Sequence, residues 1–278
     1  MKPRVMSLVI FTCAVGLLTS NSNINITDAM IGITLVALGA GAAGCLNMWY
    51  EADLDALMTR TCLRPIPTGK INKQQALIFG IFLTVFSVGA LNYFANTLSA
   101  TLLLFTILFY LFVYTIWLKR ITPQNIVIGG VAGSLPPVIG WTIATNSISM
   151  VSISLFLIIF LWTPSHFWAL SLYKADDYRK AKIPMMPITD GAERTKLYIL
   201  IYSLLMLPVV ILPYAINFSG LIYIIPVLML TFYYNFICFD LYRYKKNKFD
   251  LKKAKKVFGY SILYLFLIFV LFLLDYLI

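Results

Sequence analysis

Charged residues are scarce in this sequence, and acidic residues are the scarcer sign. Only 11 of the 278 residues are Asp or Glu, charged side chains make up 12% of the chain, and there is one histidine. So little polar surface excludes an ordinary soluble domain. Apolar stretches with almost no ionisable group recur along the whole length, and the mean hydropathy is +0.86. The composition therefore predicts an integral membrane protein.

Cysteine is also rare, and its spacing excludes two kinds of site. The four cysteines, Cys13, Cys45, Cys62 and Cys238, are scattered and form no CxxC pair. Neither a disulfide framework nor a thiolate metal site is indicated by this spacing. We interpret the four residues as small core side chains.

The apolar stretches are long enough to cross a bilayer as helices. About 20 apolar residues are needed for one crossing, and by this length rule nine segments qualify. The predicted spans are Val5 to Leu18, Ala29 to Trp49, Ala76 to Phe94, Leu98 to Leu118, Ile126 to Ala144, Val151 to Leu172, Leu197 to Ile216, Leu221 to Leu241 and Val257 to Leu277. The sequence thus predicts an all-α polytopic membrane protein in which residues 1–278 form a single domain.

The basic residues all fall on one side of these predicted spans. All 22 Lys and Arg residues lie at the N-terminus or in every second loop, and the remaining loops hold none. By the positive-inside rule, the N-terminus is predicted to be cytoplasmic and the C-terminus outside. Eight basic residues lie between Arg243 and Lys256, where we favour a topology signal with lipid headgroup contact over a specific binding role. The net charge of +11 is no sign of nucleic acid binding, which needs a basic face on a soluble module.

The fifth predicted span contains residues that interrupt helices. Its segment GGVAGSLPPVIGW, Gly129 to Trp141, combines glycines with the pair Pro136 and Pro137. Such residues free backbone groups and let neighbouring helices approach closely. The pattern predicts either a helix that is kinked or opened toward a cavity, or simple tight packing of small residues.

Three of the rare acidic residues, Glu51, Asp53 and Asp55, follow the second predicted span within five positions. Asn47, Glu51 and Asp55 are spaced by four, so a helix turns only about 40° from one to the next and presents all three on one face. Mg²⁺ prefers carboxylate and amide oxygens and often shares its remaining positions with phosphate. A solvated helix end is the alternative interpretation. Asp53 lies on the opposite face, where it is predicted to pair with a loop arginine or to reach the site if the helix end unwinds.

A second acidic pair, Asp176 and Asp177, follows the sixth predicted span and precedes several basic residues. The charge pattern places both acidic clusters on the cytoplasmic face. Acidic and basic side chains at the mouth of an apolar cavity suit a magnesium-bridged diphosphate whose hydrocarbon tail lies between the helices. A salt-bridged surface loop is the alternative, and it is less attractive for two clusters on one face than for one.

The one histidine, His166, lies inside the sixth predicted span, beside Pro164 and Trp168. An imidazole in this position can bind heme iron, transfer a proton or form a hydrogen bond with a neighbouring helix. A purely structural histidine is the alternative. Its position within a few turns of Asp176 favours a functional role.

Four segments together resemble a known family. They are KPRVMSLVIFT, NMWYEADLDALMTRTCLRPIPTGKI, GGVAGSLPPVIGW and WTPSHFWALSLYKADDYRKAKIPMMP. In order and spacing they resemble the signatures of heme O synthases, the protoheme IX farnesyltransferase family of the UbiA-type intramembrane prenyltransferases, over most of the chain. HFWAL and RPIPTGKI distinguish this family from relatives that prenylate quinone precursors or chlorophyllides.

The superfamily's acidic motifs are similar to two parts of this sequence. Its NxxxDxxxD pattern falls on Asn47, Glu51 and Asp55, with Glu51 in place of an aspartate but still a carboxylate. Its second motif is represented only by Asp176 and Asp177, without a full DxxxD. Which of these two aspartates binds metal is therefore open.

The resemblance implies nine helices around a central cavity and a magnesium-dependent reaction of farnesyl diphosphate with heme B, which yields heme O for terminal oxidases. The implied catalytic residues, which would also hold the metal, are Asn47, Glu51, Asp55, Asp176 and Asp177. The candidate diphosphate-binding residues are Arg60, Arg64, Lys70 and Lys182. The candidate heme-binding residues are His166 and Trp168.

The resemblance also implies a location and partners. The protein is expected in the lipid bilayer of a bacterial inner membrane or its equivalent, with the active site at the cytoplasmic face. A heme A synthase or a terminal oxidase assembly is the expected recipient of heme O, and no nucleic acid partner is expected.

Three other functions are consistent with parts of the sequence. A secondary transporter also has broken helices and charges within the membrane, although the acids here gather at one mouth and the span count is odd. A non-catalytic heme chaperone would need His166 but not the residues from Asn47 to Asp55. A prenyltransferase that acts on an aromatic acid differs from a heme O synthase only in the acceptor.

Overall fold

The structure, a computed structural model, describes residues 3–20, 22–243 and 251–278 and is helical throughout, with no strand in these ranges. The main elements are α1 (Pro3–Leu18), α2 (Ile26–Tyr50), α3 (Ala52–Leu57), α4 (Lys73–Phe94), α5 (Thr97–Leu108), a π-helix (Phe109–Trp117), a 3-10 turn (Leu118–Arg120), α6 (Asn125–Ser134), α7 (Pro136–Thr145), α8 (Met150–Tyr173), α9 (Ala175–Lys180), α10 (Met186–Thr189), α11 (Gly191–Ala215), α12 (Leu221–Arg243) and α13 (Leu251–Leu277). An all-helical fold is expected in lipid, because a helix satisfies its own backbone hydrogen bonds where no water is present.

Eight helical segments of the described chain are long and apolar enough to cross a membrane. Two of them are composite, since Thr97–Arg120 combines α5 with the π-helix and the 3-10 turn, and Asn125–Thr145 combines α6 with α7. The first apolar segment, Met6–Leu18, is a shorter helix. The all-α membrane fold is confirmed, whereas the count of nine spans and the orientation of the termini remain predictions. Lys2 and part of the basic stretch before α13 lie outside the described residues.

The buried side chains form two apolar clusters that divide the chain near its middle. One cluster draws on α1, α2, α4, α5 and α7, and the other is built mostly from α8, α11, α12 and α13. Large side chains such as Phe82, Phe232 and Phe236 remain exposed on the outside of the bundle. Exposed apolar side chains of this size are suited to contact with lipid tails.

The fifth span is both interrupted and tightly packed, so both expectations for its small residues are correct. The helix breaks at Leu135, and α7 begins directly at Pro136. A Cβ atom built on Gly140 would lie 2.0 Å from the backbone oxygen of Cys13 in α1, and one on Gly16 would meet Pro137 at 2.1 Å. The backbones of α1 and α7 are therefore in direct contact, which only glycine allows at these points.

The cysteines are free, as predicted. Cys13, Cys45 and Cys238 are buried in the helices, which confirms their role as small core residues. The same assignment was wrong for Cys62, which is only half-buried and lies in the loop between α3 and α4.

Short helices and turns are concentrated at one end of the bundle, where α2 and α8 finish. We call this the polar end, and it consists of α3, the loop 58–72, α9 and α10. Asn72 caps α4 here by accepting a hydrogen bond from the backbone of Gln74, and Gln75 completes a capping box. This cap ends the loop and starts the next span.

Candidate active site

Asn47, Glu51 and Asp55 are buried in line at the polar end. Their exposed fractions are 1%, 2% and 4%. The helical ladder continues across the junction of α2 and α3, because the backbone amide of Glu51 donates to Asn47 at 2.9 Å and that of Asp55 donates to Glu51 at 2.8 Å. The side chains therefore keep the common face that their spacing predicts, and they are not a solvated helix end.

Both carboxylates of this row are paired with cations. The ammonium of Lys119 contacts the Glu51 carboxylate, and the guanidinium of Arg64 lies 2.6 Å from Asp55 Oδ2. A buried carboxylate without a partner would cost several kcal/mol, so these two ion pairs allow the row to be buried. Arg64 is a predicted site residue, but Lys119 is not.

The third member of the row is held by a π-helix. Asn47 Nδ2 donates to Thr115 Oγ1 at 3.0 Å, and the Thr115 hydroxyl in turn donates to the backbone oxygen of Tyr110 at 2.8 Å. A π-helix widens the turn by one residue and often occurs at functional sites. The bond to Thr115 uses the amide nitrogen, whereas an asparagine binds a metal ion through its amide oxygen.

Asp53 lies apart from this row and pairs with an arginine, as predicted. Arg120 Nη2 donates to both Asp53 oxygens at 3.1 and 3.2 Å, and its guanidinium lies 5.2 Å from the centre of the Tyr50 ring. Partial burial alone would raise the pKa of Asp53, but hydrogen bonds from Arg120 and from the Leu54 amide outweigh it and lower the pKa. Asp53 therefore stabilises the junction of α3 with the 3-10 turn.

The structure distinguishes the two aspartates of the second acidic cluster. Asp177 is 8% exposed and accepts a hydrogen bond of 2.7 Å from the hydroxyl of Thr59, which lies 118 residues earlier in the chain. Asp176 has an 86% exposed side chain and pairs with Arg179 on the surface at 2.8 Å. Of this pair, Asp177 is the residue that contacts the loop following the first acidic cluster.

The remaining predicted diphosphate-binding residues are distributed around the polar end. Arg60 lies close enough to Tyr178 to affect its hydroxyl, since burial raises the pKa of Tyr178 and the guanidinium partly opposes that rise. Lys182 borders a pocket of about 320 Å³ whose lining includes Leu54 and Arg120. Lys70 is exposed, and it forms no ion pair within the described part of the chain. Of the four predicted diphosphate-binding residues, only Arg64 forms an ion pair with an acidic member of the row in the described part of the chain.

His166 is fixed between aromatic rings where α8 meets α13. Its ring stacks on Trp162 at 4.2 Å and on Phe258 at 4.6 Å between centroids. Its Nδ1 atom lies 2.7 Å from the hydroxyl oxygen of Ser261. These contacts define the position of the imidazole closely.

Trp168 does not share this environment. It is 1% exposed and packs against Tyr198 and Tyr202 of α11. Two positions along a helix are separated by about 200°, so His166 and Trp168 face different neighbours. The structure does not bring these two candidate heme contacts together.

The oxygen donors fit Mg²⁺ in their chemistry. Buried carboxylate and amide oxygens are the hard donors that this ion takes, and Asn47, Glu51 and Asp55 supply them in one row. Among the described residues, no three acidic, histidine or cysteine side chains converge on a single point. A metal ion bound by Glu51 and Asp55 would replace Lys119 and Arg64 as the partner of these carboxylates. The two side-chain cations could then form ion pairs with an anionic ligand.

Sequence comparison identifies similar proteins. The sequence profile of the UbiA prenyltransferase family matches residues 8–263. A protein of Pelagibacter ubique (strain HTCC1062) called protoheme IX farnesyltransferase is 76% identical over 275 residues, which cover 99% of this chain and 91% of that relative.

Solved structures share the fold at low sequence identity. A structure described as a study of digeranylgeranylglyceryl phosphate synthase in membranes has a TM-score of 0.82 at 18% identity and covers 99% of this chain and 94% of its own. A UbiA homologue from Archaeoglobus fulgidus, bound to DMAPP and Mg²⁺, has a TM-score of 0.65 at 18% identity, and the match covers 96% of this chain and 97% of that homologue. At this identity the likeness concerns the fold alone.

Proposed function

Because this chain belongs to the UbiA prenyltransferase family, we propose that it transfers a farnesyl group from farnesyl diphosphate to a vinyl group of heme B and so produces heme O. The observation that carries this proposal is the 76% identity, over 99% of the chain, to a relative called protoheme IX farnesyltransferase. The buried row at the polar end supports it, since transfer from a diphosphate needs oxygen donors for a metal and cations for the leaving group.

The acidic residues are proposed to hold Mg²⁺, which a homologue of this fold binds together with a prenyl diphosphate. Asn47, Glu51, Asp55 and Asp177 would supply the ligand oxygens, and Asp176 is the weaker candidate because it is exposed. When bound, the ion supplies positive charge next to the leaving diphosphate.

The cations of the row have a role of their own in this proposal. Lys119 and Arg64 neutralise Glu51 and Asp55 before substrate binds. With a metal ion held by the carboxylates, both cations would be available to bind diphosphate oxygens and to stabilise the negative charge that develops there. Arg60, Lys70 and Lys182 are the further candidates for this contact.

Breaking the C–O bond of the allylic diphosphate sends its electron pair to the leaving group. The π electrons of the heme vinyl group then form the new C–C bond, and a water molecule adds to the resulting cation and loses a proton, which gives a hydroxyethylfarnesyl group. The farnesyl cation must be shielded from water until then, and aromatic faces can stabilise its charge. Phe167 and Tyr173 in the last turns of α8 are suited to this role.

Heme analysis tests the proposed reaction directly. The chain is expressed in a bacterial host whose own heme O synthase is deleted, and extracted hemes are identified by mass spectrometry. We expect heme O with the wild-type chain and none with Asp55→Ala. Membranes supplied with farnesyl diphosphate should prenylate heme B and leave 4-hydroxybenzoate unchanged, and the reverse preference would contradict the assigned acceptor.

The polar end is proposed to face the cytoplasm of a bacterial inner membrane, on the basis of the charge pattern, and to deliver heme O to a heme A synthase or a terminal oxidase assembly. Cys62 offers a test of the orientation, because it is the one cysteine of the chain that is not buried. A membrane-impermeant maleimide should label Cys62 in inverted vesicles and not in intact spheroplasts. Labelling of Cys62 in intact spheroplasts would show that the polar end faces the outside and would contradict the proposed orientation.

A further inference from the structure

Ser261 in α13 connects the single histidine to its surroundings through three hydrogen bonds. Its hydroxyl donates to the backbone oxygen of Phe258 at 2.6 Å, and the same oxygen lies 2.7 Å from His166 Nδ1. Its backbone oxygen accepts the indole N–H of Trp162 at 2.8 Å. Ser261 therefore contacts both the imidazole and one of the rings stacked on it.

These bonds determine which nitrogen of His166 carries the proton. A backbone carbonyl can only accept, so the single hydroxyl hydrogen of Ser261 must point to Phe258. The serine oxygen can then only accept from His166, which means that Nδ1 is the protonated nitrogen. In the neutral ring, Nε2 must consequently carry the lone pair.

The lone pair of Nε2 has no competing partner. Nε2 makes no hydrogen bond within the described chain, and the atom keeps some contact with solvent. The side chain keeps an exposed fraction of 8% although its two faces are covered by Trp162 and Phe258. The edge of the ring that bears Nε2 is thus the part left for a ligand.

We propose that Ser261 is a positioning residue that holds His166 in the Nδ1-protonated form and thereby presents Nε2 as a ligand to the iron of heme B. The choice of heme as the ligand depends on the proposed function, whereas the tautomer follows from the geometry alone. Histidines that bind metals commonly donate their other N–H to an oxygen, which fixes the ring and the tautomer. Ser261 supplies that oxygen here.

The tautomer can be measured in heme-free protein, because the chain has one histidine. Protein purified through a tag without histidine and labelled with nitrogen-15 at His166 gives ring signals from this residue only, and their shifts distinguish the two neutral forms. We expect protonated Nδ1 and unprotonated Nε2 in the wild type. A protonated Nε2 in the wild-type protein would overturn the proposal.

Substitutions of Ser261 test its role. Ser261→Ala should give a mixture of both tautomers, and Ser261→Thr should restore the wild-type spectrum because it keeps the hydroxyl. Ser154→Ala is a matched control, since Ser154 is also buried and donates to a carbonyl three residues earlier, at 2.7 Å. It should leave the ring signals unchanged, and an equal change in this control would show that Ser261 acts only through packing.

Titration with ferric heme B, without any prenyl donor, tests the iron contact. We expect an absorption and electron paramagnetic resonance signature of histidine ligation in wild type and in Ser261→Thr. The signature should be lost in His166→Ala, and in Ser261→Ala the dissociation constant should rise about fivefold, the usual effect of one hydrogen bond. An unchanged heme spectrum in His166→Ala would overturn the iron contact. Neither measurement depends on product formation, so a failed heme O assay would count against the proposed function alone.

Discussion

Replacing Asp177 by asparagine determines whether the second acidic cluster works through its buried member. Asp177 is 8% exposed and accepts a 2.7 Å hydrogen bond from Thr59, whereas Asp176 is 86% exposed at the side chain and pairs with Arg179. Asparagine has nearly the same shape as aspartate, so an Asp→Asn substitution at either position removes the negative charge and changes little else. Asp176→Asn is therefore the matched control for Asp177→Asn.

The expected effects differ widely in size. A buried group that stabilises charge in the transition state contributes about 2.7 to 4 kcal/mol, or about 10² to 10³ in kcat. We expect a loss of this size for Asp177→Asn. An exposed ion pair contributes about 0 to 1 kcal/mol to stability, so Asp176→Asn should leave kcat unchanged within about twofold.

The assay is heme O formation in membranes that contain equal amounts of each variant, with saturating farnesyl diphosphate and heme B. Size-exclusion chromatography in detergent checks that both variants fold. Thr59→Val adds a second test, because it removes only the hydroxyl that orients Asp177 and should cost about tenfold. A loss that is equal in Asp176→Asn and Asp177→Asn, or greater in Asp176→Asn, would refute the assignment.

Three further perturbations follow from the contacts described. Lys119→Met leaves the Glu51 carboxylate buried without its cation, so it should destabilise metal-free protein by about 3 to 5 kcal/mol. Adding Glu51→Gln should recover much of this, and thermal unfolding with a chelator present measures both. Gly140→Ala forces α1 and α7 apart and should cost about 1 to 3 kcal/mol, whereas Gly133→Ala, with open space around it, should be neutral or stabilising. The lowered pKa of Asp53 means that its stabilising contribution is present above its ordinary pKa of 3.8 and is lost as pH falls through the lower folded value. Asp53→Asn should therefore unfold earlier than wild type at neutral pH and match it in strong acid, and a gap that persists in acid would contradict this.

Much of the fold could be predicted from hydrophobic length alone. Each predicted span lies within a helical segment of the structure to within one residue, because an apolar run of this length in lipid has no alternative to a helix. The short helices α3, α9 and α10 were not predicted, since they lie in polar loops where the length rule gives no signal. The π-helix was also missed, because its sequence, FYLFVYTIW, is as apolar as that of an ordinary span.

The candidate site was predictable where it depends on local spacing. One helical ladder positions Asn47, Glu51 and Asp55, so their alignment could be predicted from the four-residue spacing. Lys119 and Thr115 were missed because they belong to a different span from Glu51 and Asn47. Local residue spacing gives no information about contacts between separate spans. The sequence did contain an argument against placing Trp168 and His166 in one heme site, because residues two positions apart point to different sides of a helix.

The ion pairs of the buried row affect how the protein can be made. Glu51, Asp55, Arg64 and Lys119 all belong to the first half of the chain, so a nascent polypeptide can neutralise both carboxylates before the second half leaves the ribosome. The early spans can thus enter the bilayer without waiting for later ones. Asp177, proposed as a metal ligand, follows Lys119 by 58 residues, so the proposed metal site would be completed only after the ion pairs of the first half can form.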